Sequence, residues 1–333
     1  MKTTTAFPCL LERWFTLRLI GQKRVSHNTI CSYRDTFRLF LVFTKKQLGK
    51  APSALLLEDI NAELVSTFLN DLEEHRVISA RTRNLRLTAI HSFFHFLEYE
   101  EPGYSAQIQR VLAIPSKRHE QRLIHFLERK EIEALLASPD KTTWIDHRDH
   151  ALLFLALQTG LRLSELISLS RTSLVLDQAA HVRCIGKGRK ERSTPLTKPA
   201  VRILKAWLLA LPSMEEDILF PTTRGTRLSA DSVQYLVKKH TTNACIQCSS
   251  LKQKHVTPHV LRHTAAMELL SAGVDTTVIA MWLGHESTQT TEVYIHAHMA
   301  LKEAALAKVA PFNKHSALHY KPSDKLLNFL TSL

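Results

Sequence analysis

Apolar side chains recur every three or four residues through long stretches of the chain, a period that only helices place on one face. From Asn28, a candidate N-cap, the residues Ile30, Tyr33, Phe37, Phe40 and Leu41 share one face, with Arg34, Arg38, Lys45 and Lys46 on the others. A second stripe, Leu87, Ile90, Phe94 and Leu97, follows an opening near Ser79 and carries Arg81, Arg83 and Arg86 in its first turns. Basic charge at a helix N-terminus opposes the macrodipole, so these arginines either contact an anion such as a phosphate or form a merely solvated face. Residues 101–122 break the period with Pro102, Gly103, Pro115 and a charged run, as a linker does. Helical periodicity returns at Glu128–Ala137, and Ala151–Thr159 is nearly all apolar, a buried helix for which Gly160 is a suitable C-terminal cap. The expected division is therefore a helical domain at 1–115, a linker at 116–125, a second domain at 126–312 and a tail at 313–333.

One segment departs from this pattern. In HVRCIGKGRKERSTPL, short alternating stretches flank Gly186-Lys187-Gly188, which predicts a β-hairpin inside the otherwise helical second domain. The fold class expected is thus mainly α with a small β-hairpin, in two domains. At 333 residues, two cores are also the natural expectation from length.

Charge indicates the partner class. Lys plus Arg number 44 against 31 Asp plus Glu, a net +13, which suits DNA, RNA or an anionic membrane surface. Residues 1–115 hold 15 basic and 11 acidic side chains, leaving 29 and 20 for the remainder, so both domains are positive and fit a clamp around a long polyanion. No run of 18 apolar residues and no signal-peptide order is present, and the expectation is a cytoplasmic protein that does not use a membrane. Five scattered cysteines do not make a disulfide scaffold. Cys245 and Cys248, with His240 and His255 nearby, have the spacing of half a zinc site, but a second tight pair is missing, and no metal is expected.

The second domain also concentrates groups able to do chemistry on a phosphate. Thr257-Pro258 opens a helix that ends before Gly273 and places His259 and Arg262 three residues apart, where they can hold one anionic oxygen. Asp275 can cap a short helix ending at Leu283-Gly284, which delivers His285, and a further helical segment carries Tyr294. Taken singly, each has a structural reading: a surface His–Arg pair, a packed histidine, a half-buried aromatic.

Together, the segments TGLRLSEL, IGKGRKERSTPL, TPHVLRHTAA and WLGHESTQTTEVYIH resemble the motif blocks of the tyrosine recombinases, the phage integrase and Xer-like family, in order and spacing across residues 158–296. The resemblance implies a helical core-binding domain followed by a catalytic domain that acts on double-stranded DNA. It implies Arg162 and Arg262 as the phosphate-clamping pair and Lys187 as proton donor to the leaving 5′ oxygen. His259 and His285 become the histidine-type positions and Tyr294 the nucleophile that forms a 3′-phosphotyrosyl link, with neither metal nor nucleotide cofactor. Arg34, Arg38, Arg81, Arg83 and Arg86 become candidate DNA contacts. A homotetramer on two DNA sites is implied too, with the 313–333 tail, where Leu326, Leu327, Phe329 and Leu330 can form an apolar helix face, docking on its own domain or on a neighbour. Rival readings are a type IB topoisomerase-like nicking-closing enzyme, a non-catalytic DNA-binding regulator, and a metal-dependent nuclease suggested by 18 histidines.

Overall fold

The computed structural model describes residues 6–119, 124–140, 142–186, 190–211 and 217–284. The chain divides into two compact units, with the boundary between Arg122 and Leu123.

In the first unit, α1 (Phe7–Arg13) continues without a break into a π-helical stretch at Trp14–Gln22. Three longer helices follow: α2 (His27–Leu48), α3 (Ala62–Arg76) and α4 (Ala80–Glu100). Helix α2 is capped by Ser26, whose hydroxyl accepts the Thr29 N–H, and not by Asn28, which lies inside the helix. Ser26 has the extended backbone a cap requires, and its hydroxyl satisfies one of the orphan N–H groups of the first turn, two residues earlier than a cap at Asn28 would place it. The stripes on α2 and α4 meet in an aromatic core. The Trp14 ring stacks on Tyr33 at 5.6 Å and meets Phe37 and Phe93 edge-on at 5.4 Å each.

Part of the expected linker is not a linker. Ser105–Leu112 forms α5, with Ile108 and Val111 fully buried in this core. Gln107 donates to the carbonyls of Leu57 and Ile60, both at 2.7 Å. Pro102 and Gly103 start this helix and do not end the domain. Its single two-turn stripe is too short to stand out as periodicity.

The second unit is built on α7 (Trp144–Thr159), a helix buried over its C-terminal half and packed between α9 (Lys198–Ala210) and α11 (Pro258–Ser271). Around it lie α6 (Arg129–Ala137), α8 (Leu163–Ser168), α10 (Ala230–Ala244) and α12 (Thr276–Leu283). The hairpin is present as β2 (His181–Ile185) and β3 (Glu191–Pro195), pairing Val182 with Thr194 and Ile185 with Glu191. A two-residue strand β1 (Leu174–Val175) on the other side of β2 completes an antiparallel sheet in the order β1-β2-β3. Helix α12 docks on α11 through Ala266, Met267, Leu270, Ile279 and Leu283. No helix among the described residues is long and apolar enough to cross a membrane.

A buried polar network braces this unit away from the loops. Asp149, 2% exposed, accepts two hydrogen bonds from Arg148 (3.0 and 2.8 Å) and lies 3.0 Å from Nε2 of His240. The other ring nitrogen of His240 lies 3.1 Å from Ser138 Oγ, and Arg148 also donates to the Pro221 carbonyl. The carboxylate links α7 to α10, and His240 and Arg148 extend the network to Ser138 at the end of α6 and to the Pro221 loop.

Candidate functional site

Helix α7 stops at Gly160, which adopts φ +62°, and its N–H closes the helix on the Ala156 carbonyl. A side chain is excluded there as well, because a Cβ would lie 2.6 Å from Leu283 Cδ2 and 3.1 Å from Ala265 Cβ. The tight turn presents Arg162 two residues later, in extended conformation at the N-terminus of α8. Arg162 donates to Glu165 Oε1 at 3.0 Å and to the Gly284 carbonyl at 2.8 Å.

Arg262 arrives from α11, whose N-terminus is set by Thr257 and Pro258 as expected. It is 5% exposed and donates to the carbonyls of Gly160 and Leu283. Arg162 and Arg262 are thus bonded to successive carbonyls, Gly284 and Leu283, at the C-terminal end of α12. This is the negative end of the helix dipole, where cations are favoured. His259, one turn before Arg262, is exposed on α11, with its ring centroid 6.3 Å from that of His263.

Glu165 and Arg192 join this cluster although neither was expected from the sequence. Arg192, from β3, grips Glu165 with two parallel hydrogen bonds of 2.8 Å, and the Arg162 backbone N–H donates to the same carboxylate. Burial alone would raise the Glu165 carboxyl, but the hydrogen bonds from Arg192 and Arg162 and the Arg192 charge outweigh it and hold the group below the usual carboxylate range. Glu165 stands three residues after Arg162 inside TGLRLSEL, a helical spacing that could have pointed to it. Arg192 lies 27 residues farther on, where no local pattern reveals the pairing.

The His263 imidazole is pushed down to about 4, first by burial and then by the neighbouring His259 and Arg262. A histidine whose folded value lies below its unfolded one near 6.5 binds its proton more readily when the chain is unfolded. Its contribution to stability is therefore complete above pH 6.5 and declines as pH falls towards 4. Denaturant midpoints at pH 7 and pH 5 should differ less in His263→Asn than in the parent, and an unchanged difference would remove His263 as the cause.

Lys187, His285 and Tyr294 lie outside the described residues, as does the 313–333 tail. The residues that precede the first two are described, and both abut Arg192. A Cβ at Gly186 would sit 3.2 Å from Arg192 Nη1, and one at Gly284, where φ is +65°, would sit 2.7 Å from the same atom. Arg162 and Arg192 thus meet on the Glu165 carboxylate, Gly186 and Gly284 abut Arg192, and Arg262 shares the C-terminal end of α12 with Arg162.

The arginines of the first unit divide. Arg34, Arg38 and Arg81 are exposed, with Arg34 paired to Asp35 at 3.0 Å. Arg83 is 5% exposed, lies 3.5 Å from Glu73 and donates to the Pro115 carbonyl. Arg86 is half-buried and spans to α2, donating to Thr36 Oγ1 and the Ser32 carbonyl. Arg83 and Arg86 therefore hold the unit together, which accounts for basic side chains at the start of α4 without an external anion. Near Cys245 and Cys248, His240 is turned into the buried network with Asp149, and no three metal-type side chains are grouped among the described residues.

Comparison with known proteins agrees with this architecture. Residues 125–300 match the model of the phage integrase family, and residues 12–101 match its N-terminal SAM-like domain. A Sinorhizobium fredii protein assigned as an integrase/recombinase, y4rC, is 54% identical over 97% of this chain and 97% of its own length. The tyrosine recombinase XerD of Pasteurella multocida is 31% identical over 83% of this chain and 89% of its own. In fold the chain resembles the XerH site-specific recombinase (TM-score 0.69, 24% identity, covering 85% of this chain and 80% of that one). It also resembles the Tn1549 transposon integrase (TM-score 0.67, 15% identity, covering 92% and 100%). The chain belongs to the phage integrase family of tyrosine recombinases, enzymes that break and rejoin DNA strands.

Proposed function

We propose that this protein is a site-specific recombinase of double-stranded DNA in which Arg162, Arg262, Lys187, His259, His285 and Tyr294 act on one phosphate. The observation that carries the reading is the pair of guanidiniums fixed on the successive carbonyls of Leu283 and Gly284, the last residues before His285. In-line attack loads negative charge onto the non-bridging oxygens, and preorganised planar donors stabilise it without reorganising.

The Tyr294 oxygen bonds to phosphorus while the bond to the 5′ oxygen breaks. The phenol proton passes to an imidazole, His259 or His285, and Lys187 protonates the departing oxygen. The 3′-phosphotyrosyl ester conserves the energy of the broken link, so a free 5′ hydroxyl can reverse the step on another duplex and ATP has no part to play. The arginine charge takes the role that a metal plays in other phosphoryl enzymes. Residues 126–312 supply this chemistry, and residues 1–115 clamp the duplex, with the exposed Arg34, Arg38 and Arg81 as phosphate contacts. Exchange between two duplexes calls for four protomers, which the 313–333 tail can link, and for the cytoplasm, where the DNA is.

The test is a two-site assay. Incubated with plasmids carrying two copies of its site, the protein should yield deletion or inversion products with EDTA present. Relaxation without exchange would make it a nicking-closing enzyme instead, and loss of activity in EDTA would make it a metal-dependent nuclease. Arg162→Lys retains the charge but not the fork, and cleavage should fall by about 10²–10³-fold with site binding nearly intact. Near-normal cleavage by that variant would remove Arg162 from the clamp.

A further inference from the structure

Arg192 was not among the residues expected to act on the phosphate, yet it links Glu165, and through it Arg162, to the glycines that precede Lys187 and His285. Its guanidinium holds both oxygens of Glu165. Glu165 in turn orients Arg162 through its side chain and its backbone N–H. The same Nη1 that bonds Glu165 is packed against Gly186 and Gly284, where a Cβ would lie 3.2 and 2.7 Å from it. Gly186 follows β2, its N–H bonds the Lys190 carbonyl at 2.8 Å, and the next residue in sequence is Lys187.

The Arg192 side chain is 13% exposed and that of Glu165 is 3% exposed. A buried ion pair of this kind adds little net stability compared with well-packed apolar side chains, so stability alone does not explain it. A two-pronged fork between a strand and a helix does fix the hairpin at one distance and angle from Arg162. Backbone pairing sets the register of the hairpin and Val182 and Cys184 seat β2 in the core, while the Arg192–Glu165 fork ties β3 to α8.

We propose that Arg192 is a positioning residue that, through Glu165, locks the β2–β3 hairpin at the site so that Lys187 can deliver its proton to the leaving 5′ oxygen. This rests on the assignment of Lys187 as the proton donor. In the step concerned, the Tyr294 oxygen–phosphorus bond forms and the phosphorus–5′ oxygen bond breaks. The Lys187 ammonium loses its proton to that oxygen. Arg192 exchanges no proton and touches no substrate atom.

A role through the leaving group is separable from a role in folding or in the clamp. When the bridging 5′ oxygen is replaced by sulfur, the leaving group departs as a thiolate, whose conjugate acid has a reference pKa near 8.5, and it needs no proton donor. On a nicked suicide duplex with the ordinary linkage, Arg192→Met should form covalent adduct on the order of 100-fold more slowly than the parent, the scale of a misplaced general acid. On the 5′-phosphorothiolate duplex its rate should return to within a few-fold of the parent's. Equal slowing on both duplexes, or no slowing on the ordinary one, would overturn the proposal. If Arg192→Met does not fold, as judged by its melting curve, Arg192→Lys keeps the charge, loses the fork and is held to the same pattern. Lys187→Ala separates the two layers of the argument. If sulfur does not rescue it, the proton-donor assignment fails and this inference fails with it; if sulfur rescues it but not Arg192→Met, the inference about Arg192 fails alone.

Discussion

Tyr294→Phe is expected to bind the recombination site as tightly as the parent chain and to form no covalent DNA adduct. Phenylalanine keeps the aromatic ring and removes only the oxygen proposed to attack phosphorus. The loss should reach about 10⁶-fold, the scale seen when other covalent enzymes lose their nucleophile. The measurement is a denaturing gel on a nicked suicide substrate, beside a native gel for binding. A shifted band that persists in the variant would assign the nucleophile to another residue. Loss of binding with loss of adduct would point to a role for the phenol in holding DNA.

The second large effect concerns stability. Asp149→Ala should lower the melting temperature of the catalytic unit by roughly 10 °C. The substitution removes the carboxylate that Arg148 and His240 share and leaves a buried guanidinium and a buried imidazole facing a void. Removing one partner from a buried charged network costs about 3–5 kcal/mol, and for a unit of this size each kcal/mol is worth about 2–4 °C. Asp149→Asn, which keeps the shape and part of the hydrogen bonding, should fall between the two. A melting point for Asp149→Ala within 2 °C of the parent would mean that water or a rearranged side chain satisfies both partners. Because Asp149 lies on α7, which ends in the turn that presents Arg162, the same variant should lose cleavage activity at temperatures well below its melting point.

The parts of the molecule legible in the sequence are those governed by neighbours within a few residues. Gly160 at the end of an apolar run, Thr257-Pro258 at a helix start, Asp275 before a short helix and the glycine-centred hairpin are local signals, and the structure has each of them. The motif blocks around Arg162 and Arg262 were equally readable, because their residues come in short fixed spacings. What escaped depends on contacts between distant positions. Arg192 meets Glu165 across 27 residues and His240 meets Asp149 across 91, and nothing in the local pattern of either member marks it. Arg83 and Arg86 looked like surface cations because charge usually faces water, but Glu73, Pro115 and Thr36 supply their partners from other elements. Helix α5 was missed because two turns are too few for a period to be recognised.

The partners that aim Arg162 and Arg262 include the main-chain oxygens of Gly160, Leu283 and Gly284, atoms that every amino acid carries. Point mutation cannot delete them, so this part of the proposed clamp is lost only by replacing the arginines or displacing the backbone, whereas the Glu165–Arg192 side-chain support remains open to substitution. Directed evolution towards a new target sequence can therefore diversify the exposed faces of both units heavily while Arg162 and Arg262 keep their main-chain partners.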